Sequence, residues 1–84
     1  MSYFVYLIVT RVKNKTISYV GYTNNLIKRL NKHNNNKGAR STKGHKWILI
    51  YKKRFKNKKE AMSFEYKLKK NRKQRKIIFQ NFIK

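Results

Sequence analysis

The run Tyr3–Thr10 sets aromatic and β-branched side chains at nearly every position, and no other segment restricts the fold as much. A stretch this short and this apolar reads as a buried strand. A second such stretch, Thr16–Tyr22, follows the polar residues of Arg11–Lys15, so the two are expected to pair as an antiparallel hairpin. Thr23 or Asn24 then supplies an N-cap for a helix running to about Asn34. Asn34–Lys46 is polar, contains Gly38 and Gly44, and reads as a loop. Trp47–Phe55 has the composition of a third strand. Asn57 and Glu60 have capping-box spacing and open a helix from Lys58 to about Arg72. From Lys73 onward, Ile77, Ile78, Phe79, Phe82 and Ile83 suit a short final helix packing back on the core. Neither prolines, repeats nor a linker divide the chain, so the expectation is one domain over residues 1–84. Its fold class is α+β: a small three-stranded antiparallel sheet flanked by two to three helices.

Composition bears on the partner. Lys and Arg number 24 against two acids, Glu60 and Glu65, for a net charge of +22. Self-repulsion of that size disfavours the compact state unless an anionic partner offsets it. With 39% hydrophobic residues the 84-residue chain still forms one core, burying roughly 60–65% of the surface its unfolded form exposes. The cations run along the whole chain and no segment has the broad lipid-facing stripe of an interfacial helix, so the expected partner is nucleic acid rather than a membrane. Zero cysteines exclude disulfides and thiolate zinc sites. The N-terminal apolar run has no basic flank or cleavage site and is too short to span a bilayer, which predicts an intracellular protein, nuclear or cytoplasmic.

Helical spacing singles out three side chains. Arg29 and His33 lie one turn apart beside the Leu26/Leu30 stripe, where both can point into the edge of the core or simply face solvent. Glu65 falls among Ala61, Phe64 and Leu68 on the apolar side of the later helix. A bare carboxylate there needs a cation or hydrogen bonds, and either a metal or a neighbouring Lys or Arg would serve. Tyr6 and Tyr19 lie on the two hairpin strands, where tyrosine ordinarily packs. Gly21, inside a strand, marks a bulge or a close approach.

Taken in order, Val5-Tyr6-Leu7, Tyr19-Val20-Gly21, Arg29, His33, Gly38-Ala-Arg-Ser-Thr-Lys and Ala61 through Glu65 to Leu68 resemble the GIY-YIG nuclease superfamily. The resemblance covers about residues 3–76. It looks closest to the small single-domain members and to the nuclease half of Slx1-type structure-selective endonucleases, without the zinc domain of the latter. The first tripeptide departs from Gly-Ile-Tyr but keeps its tyrosine, and Val20 replaces isoleucine in the second.

That resemblance implies a DNA endonuclease with one divalent ion, Mg²⁺ or Mn²⁺, held by Glu65. Arg29 would hold the scissile phosphate, where a planar fork outperforms a point charge. Tyr6 would act as phenolate or proton relay with His33 accepting, and Tyr19 would position the water or phosphate. The large positive charge and the metal are expected to favour the phenolate. Lys28, Lys32, Lys37, Arg40, Lys43, Lys46, Lys52, Lys53 and Arg54 would grip the flanking backbone of duplex or branched DNA by its shape, in repair or recombination. Neither a small-molecule cofactor nor a protein scaffold is indicated. The alternative is a non-catalytic basic nucleic-acid-binding module that has kept the fold of a nuclease.

Overall fold

A computed structural model describes residues 2–38 and 42–84. β1 (Tyr3–Val12) and β2 (Lys15–Thr23) form the expected hairpin, and their ladder continues to Val12 opposite Lys15. The turn is thus only Lys13-Asn14, tighter than expected. Both residues have positive φ, 50° and 68°. Two successive left-handed residues give the primed turn whose twist matches that of paired strands. β3 (Ile48–Phe55) adds antiparallel to the other side of β1, giving the order β2-β1-β3. Trp47, expected to begin this strand, lies just outside it and is buried.

As the central strand, β1 is buried from Val5 to Thr10 and divides its side chains between two faces. Tyr6 and Ile8 pack with Trp47, Tyr19, Leu26, Leu30 and Leu49, beneath α1 (Leu26–Asn34). Val5 and Leu7 pack with Val20, Ala61 and Leu68, beneath α2 (Lys58–Lys70). Covering both faces is what makes the run continuous rather than alternating. Leu7 pairs with Tyr51 and Ile8 with Leu49, so Ile50 is an extra residue on β3, a bulge that sends both Ile50 and Tyr51 toward the α2 side.

The helix ends follow side-chain caps. Asn25, rather than Thr23 or Asn24, caps α1: its Oδ1 accepts from Lys28 N at 3.1 Å, while Thr23 Oγ1 accepts from Asn25 N at 3.1 Å. Half of the expected Asn57/Glu60 box forms: the cap is made, but Glu60 returns to the Asn57 side chain and not to its backbone N–H. Asn57 Oδ1 accepts from Glu60 N at 2.8 Å, and Asn57 Nδ2 donates to Glu60 Oε1 at 2.9 Å. α2 stops at Lys70, before the expected Arg72, because Asn71 turns to cap α3 (Arg72–Phe82), accepting from Gln74 N at 3.0 Å. Arg75 Nη1 donates to the last carbonyls of α2, at Leu68 and Lys69. The final helix is more peripheral than its apolar residues suggest. Ile78 and Phe79 are half-buried, whereas Ile77, Phe82 and Ile83 are exposed.

Candidate active site

The site begins with the pairing of Tyr6 opposite Gly21 in the β1–β2 ladder. The pairing is regular there, so Gly21 marks a close approach rather than a bulge: the Tyr6 ring lies over it. From α1, His33 meets the same phenol, with Tyr6 Oη and His33 Nε2 2.8 Å apart. His33 is completely buried, so the surface reading of this residue fails. Arg29, one turn earlier, donates from Nε to Tyr6 Oη at 3.4 Å. Tyr19 stacks beside them, its ring centroid 5.0 Å from that of His33 and 6.4 Å from that of Tyr6. Four of the five expected site residues are therefore in one contiguous group.

Glu65 stands apart from them. It forms no hydrogen bond with the four, and its side chain, 17% exposed, makes an i,i+4 ion pair with Lys69 at 3.8 Å. The lysine partner that a purely structural reading expects is present, but the contact is long and Lys69 is half exposed. Such pairs contribute about 0.3–0.5 kcal/mol. Glu65 nevertheless acts on the cluster, since its charge is among the influences on the Tyr6 phenol.

The electrostatics correct one expectation. Burial, seconded by the charges of Tyr19 and Glu65, outweighs Arg29 and pushes the Tyr6 pKa up to about 12. The protein groups alone disfavour the phenolate, because a net charge spread through solvent does less than removing the phenol from water; a bound cation would act in the opposite direction. His33 is held below the ordinary imidazole range by burial and by Arg29, so it is neutral at physiological pH. Arg29 is held above its usual value, chiefly by its bond to Tyr6. A neutral phenol beside a neutral imidazole is a proton donor beside an acceptor.

Two features escaped sequence reasoning. Thr42, fully buried, places Oγ1 2.9 Å from His33 Nδ1. Trp47 Nε1 donates to the Thr42 carbonyl at 2.9 Å, and Asn34 holds Trp47 through both backbone groups, accepting from its N at 2.6 Å and donating to its O at 3.3 Å. Thr42 falls within the Gly38-Ala-Arg-Ser-Thr-Lys motif, but a threonine in a polar loop ordinarily faces water and nothing singled out its side chain.

The expected DNA-gripping cations divide. Lys28 and Lys32 border, with Arg29, a polar cleft that also takes in Tyr22, Asn25 and Lys58. Lys52 and Arg54 pair with Tyr6 and Phe4 and share the Tyr6 face. Lys53 pairs with Val5 on the opposite face, where its Nζ sits over the Phe55 and Phe64 rings at 5.6 and 4.8 Å. Its exposed ammonium therefore packs on those rings, on the face away from Tyr6. Lys37, Lys43 and Lys46 are exposed, and Arg40 lies outside the described residues.

As for a metal, no cluster of three or more His, Cys, Asp or Glu occurs among the described residues. That donor set cannot cage zinc. It does fit Mg²⁺ or Mn²⁺, which bind through one or two carboxylates and complete their shell with water and substrate phosphate. Among the described residues no helix is long and apolar enough to cross a membrane.

Comparison with known proteins agrees with the geometry. The family model of the GIY-YIG catalytic domain matches residues 2–77. A UPF0213 protein of Clostridium perfringens is 44% identical over 66 residues, covering 77% of this chain and 70% of the relative. A UPF0213 protein of Pediococcus pentosaceus is 43% identical over 75 residues, covering 88% and 78%. The solution NMR structure of a UPF0213 protein from Bacillus halodurans superposes with a TM-score of 0.51 at 32% identity, covering 95% of this chain and 85% of that one. Matched by that family model over nearly its whole length, this chain belongs to the GIY-YIG family, whose catalytic domain is of nuclease type.

Proposed function

We propose that this protein is a divalent-metal-dependent endonuclease that hydrolyses DNA phosphodiester bonds and selects its substrate by shape, including branched forms, in repair or recombination. The observation that carries the reading is the buried 2.8 Å contact between Tyr6 Oη and His33 Nε2, with Arg29 Nε on the same phenol oxygen. A buried phenol and imidazole, with a part-buried guanidinium reaching them from the cleft, suit proton transfer beside an anion.

Each residue has a part its chemistry suits. Arg29 binds the scissile phosphate and offsets the charge that builds in the transition state. Tyr6 takes the proton of the attacking water as its own proton passes to His33 Nε2, so no free phenolate forms and its high pKa is no obstacle. Tyr19 flanks the imidazole and orients the water or the phosphate. Glu65 would hold the Mg²⁺ or Mn²⁺, releasing Lys69 to solvent. When bound, the ion supplies charge neutralisation at the phosphate and at the leaving oxygen. Lys28, Lys32, Lys52 and Arg54 hold the flanking backbone, and Lys37, Arg40, Lys43 and Lys46 extend that grip. Such contacts carry no base readout, which favours recognition of DNA form over sequence.

The test is cleavage of nicked, flapped and four-way DNA in Mg²⁺ or Mn²⁺ by wild type and Glu65→Ala. Wild type cuts; Glu65→Ala binds DNA as well and does not cut. Failure of wild type on every substrate in both metals would favour the non-catalytic binding module, for which the Glu65–Lys69 pair is a sufficient role for the carboxylate.

A further inference from the structure

We propose that Thr42 is a positioning residue that fixes the tautomer of His33, turning the lone pair of Nε2 toward the Tyr6 hydroxyl. A neutral imidazole has one N–H and one lone pair, so the two contacts of His33 must run in a single direction. Arg29 Nε can only donate, and it donates to Tyr6 Oη. If His33 Nε2 donated there as well, the hydroxyl proton of Tyr6 would be left without an acceptor. Tyr6 is 1% exposed, so water is not at hand to accept that proton, and a buried hydroxyl proton without an acceptor is costly. The consistent arrangement is Tyr6 O–H to Nε2, then Nδ1–H to Thr42 Oγ1.

The surroundings of Nδ1 make threonine its controlling neighbour. A Cβ added at Gly38 would come within 2.5 Å of Nδ1 and 3.0 Å of Cε1, so the loop closes on this edge of the ring from a second side. Thr42 is held by Trp47, and Trp47 by Asn34, the residue that follows His33. The tautomer is thereby set by the fold. The same device is familiar where a carboxylate orients a catalytic histidine; here a neutral hydroxyl does it, consistent with a chain that has two acids in all.

The inference deepens the nuclease reading, but its first test is independent of cleavage. Imidazole ¹⁵N chemical shifts, with His45→Gln used to assign the two histidines, should report an Nδ1–H tautomer for His33 in wild type. Thr42→Ser should keep it. Thr42→Val, which matches the shape and lacks the oxygen, should lose it, and its DNA cleavage should slow about a hundredfold with unchanged DNA binding. An Nε2–H tautomer in wild type, or averaging between the two forms, would overturn the proposal, as would a tautomer unchanged in Thr42→Val. If Thr42→Val does not fold, wild type and Thr42→Ser decide it. A wild type with the Nδ1–H form that cuts no DNA would remove the nuclease reading and leave this one standing.

Discussion

Tyr6 and Gly21 face each other across the β1–β2 ladder, and the phenol of the first occupies the space a side chain on the second would need. A Cβ at position 21 would lie 2.6 Å from Cζ of Tyr6, closer than any real contact. The glycine of the second tripeptide is thus the seat of the tyrosine of the first. Gly21→Ala should reduce the chain entropy of the unfolded state, worth about 0.4–1 kcal/mol, but overpacking costs about 1–3 kcal/mol. The net expectation is a destabilised protein in which Tyr6 has moved off His33. Thermal unfolding and DNA cleavage measured together check this, since a stable and active Gly21→Ala would mean that the ring has other room.

Arg29→Ala should slow cleavage at least about a hundredfold, as loss of one transition-state donor does. It should also lower the slope of log affinity against log salt by about one phosphate contact. Arg29→Lys retains the charge and loses the fork, so it should restore the salt slope and little of the rate. Single-turnover cleavage and a salt titration of DNA binding separate the two effects.

Burial of Tyr6 makes a stability prediction at high pH. Its pKa is about 10 in the unfolded chain and about 12 in the fold, so between those values the unfolded state has released a proton that the native state keeps. The contribution is fully present below pH 10 and lost as pH rises through 12, on the order of 2–3 kcal/mol in all. Tyr6→Phe lacks that titration. The difference in unfolding free energy between wild type and Tyr6→Phe should therefore be flat up to about pH 10 and then decline. His33 has the opposite sign. Its pKa is lowered in the fold, so its contribution is present above about pH 6.5 and is lost as pH falls.

Much of this architecture is legible locally, and the misses have a common cause. The hairpin, the Asn57/Glu60 cap and the faces of α1 and α2 follow from periodicity and side-chain reach within a few residues. Choosing among Thr23, Asn24 and Asn25 as cap is harder, because both residue types cap well and only the approach of β2 decides. The burial of His33 is not encoded near His33. It depends on Thr42 and Gly38 folding back over the ring, and no local period announces that closure. The protonation of Tyr6 depends likewise on tertiary packing: counting charges treats the chain as a solvated object, whereas the phenol is buried among Tyr19, Leu26, Leu30 and Trp47. Which of three successive cations on β3 faces Tyr6 became clear only with the strand register.

That register gives a prediction of its own. Lys52→Ala, on the Tyr6 face, should weaken DNA binding and reduce its salt slope by about one. Lys53→Ala should leave the slope nearly unchanged and cost about 0.5–1 kcal/mol of stability, through the one ammonium lost from the Phe55 and Phe64 rings. Equal effects of the two on the salt slope would mean that DNA wraps both faces of the sheet.

Lys69 is the natural competitor for the ion that Glu65 is proposed to bind. Its Nζ lies 3.8 Å from Glu65 Oε1, and a pair of this kind on a helix contributes about 0.3–0.5 kcal/mol, roughly a factor of two in an equilibrium constant. Lys69→Ala should therefore lower the Mn²⁺ concentration for half-maximal cleavage by about twofold, with little change in the maximal rate and little loss of stability. Lys69→Glu should do more, by adding a second carboxylate one turn away. Glu65→Gln keeps the shape, loses the charge, and should be inactive at every Mn²⁺ concentration. If Lys69→Ala instead raises the Mn²⁺ requirement, the lysine orients the carboxylate for the metal rather than competing with it, and Glu65 would depend on a partner for its ligand geometry.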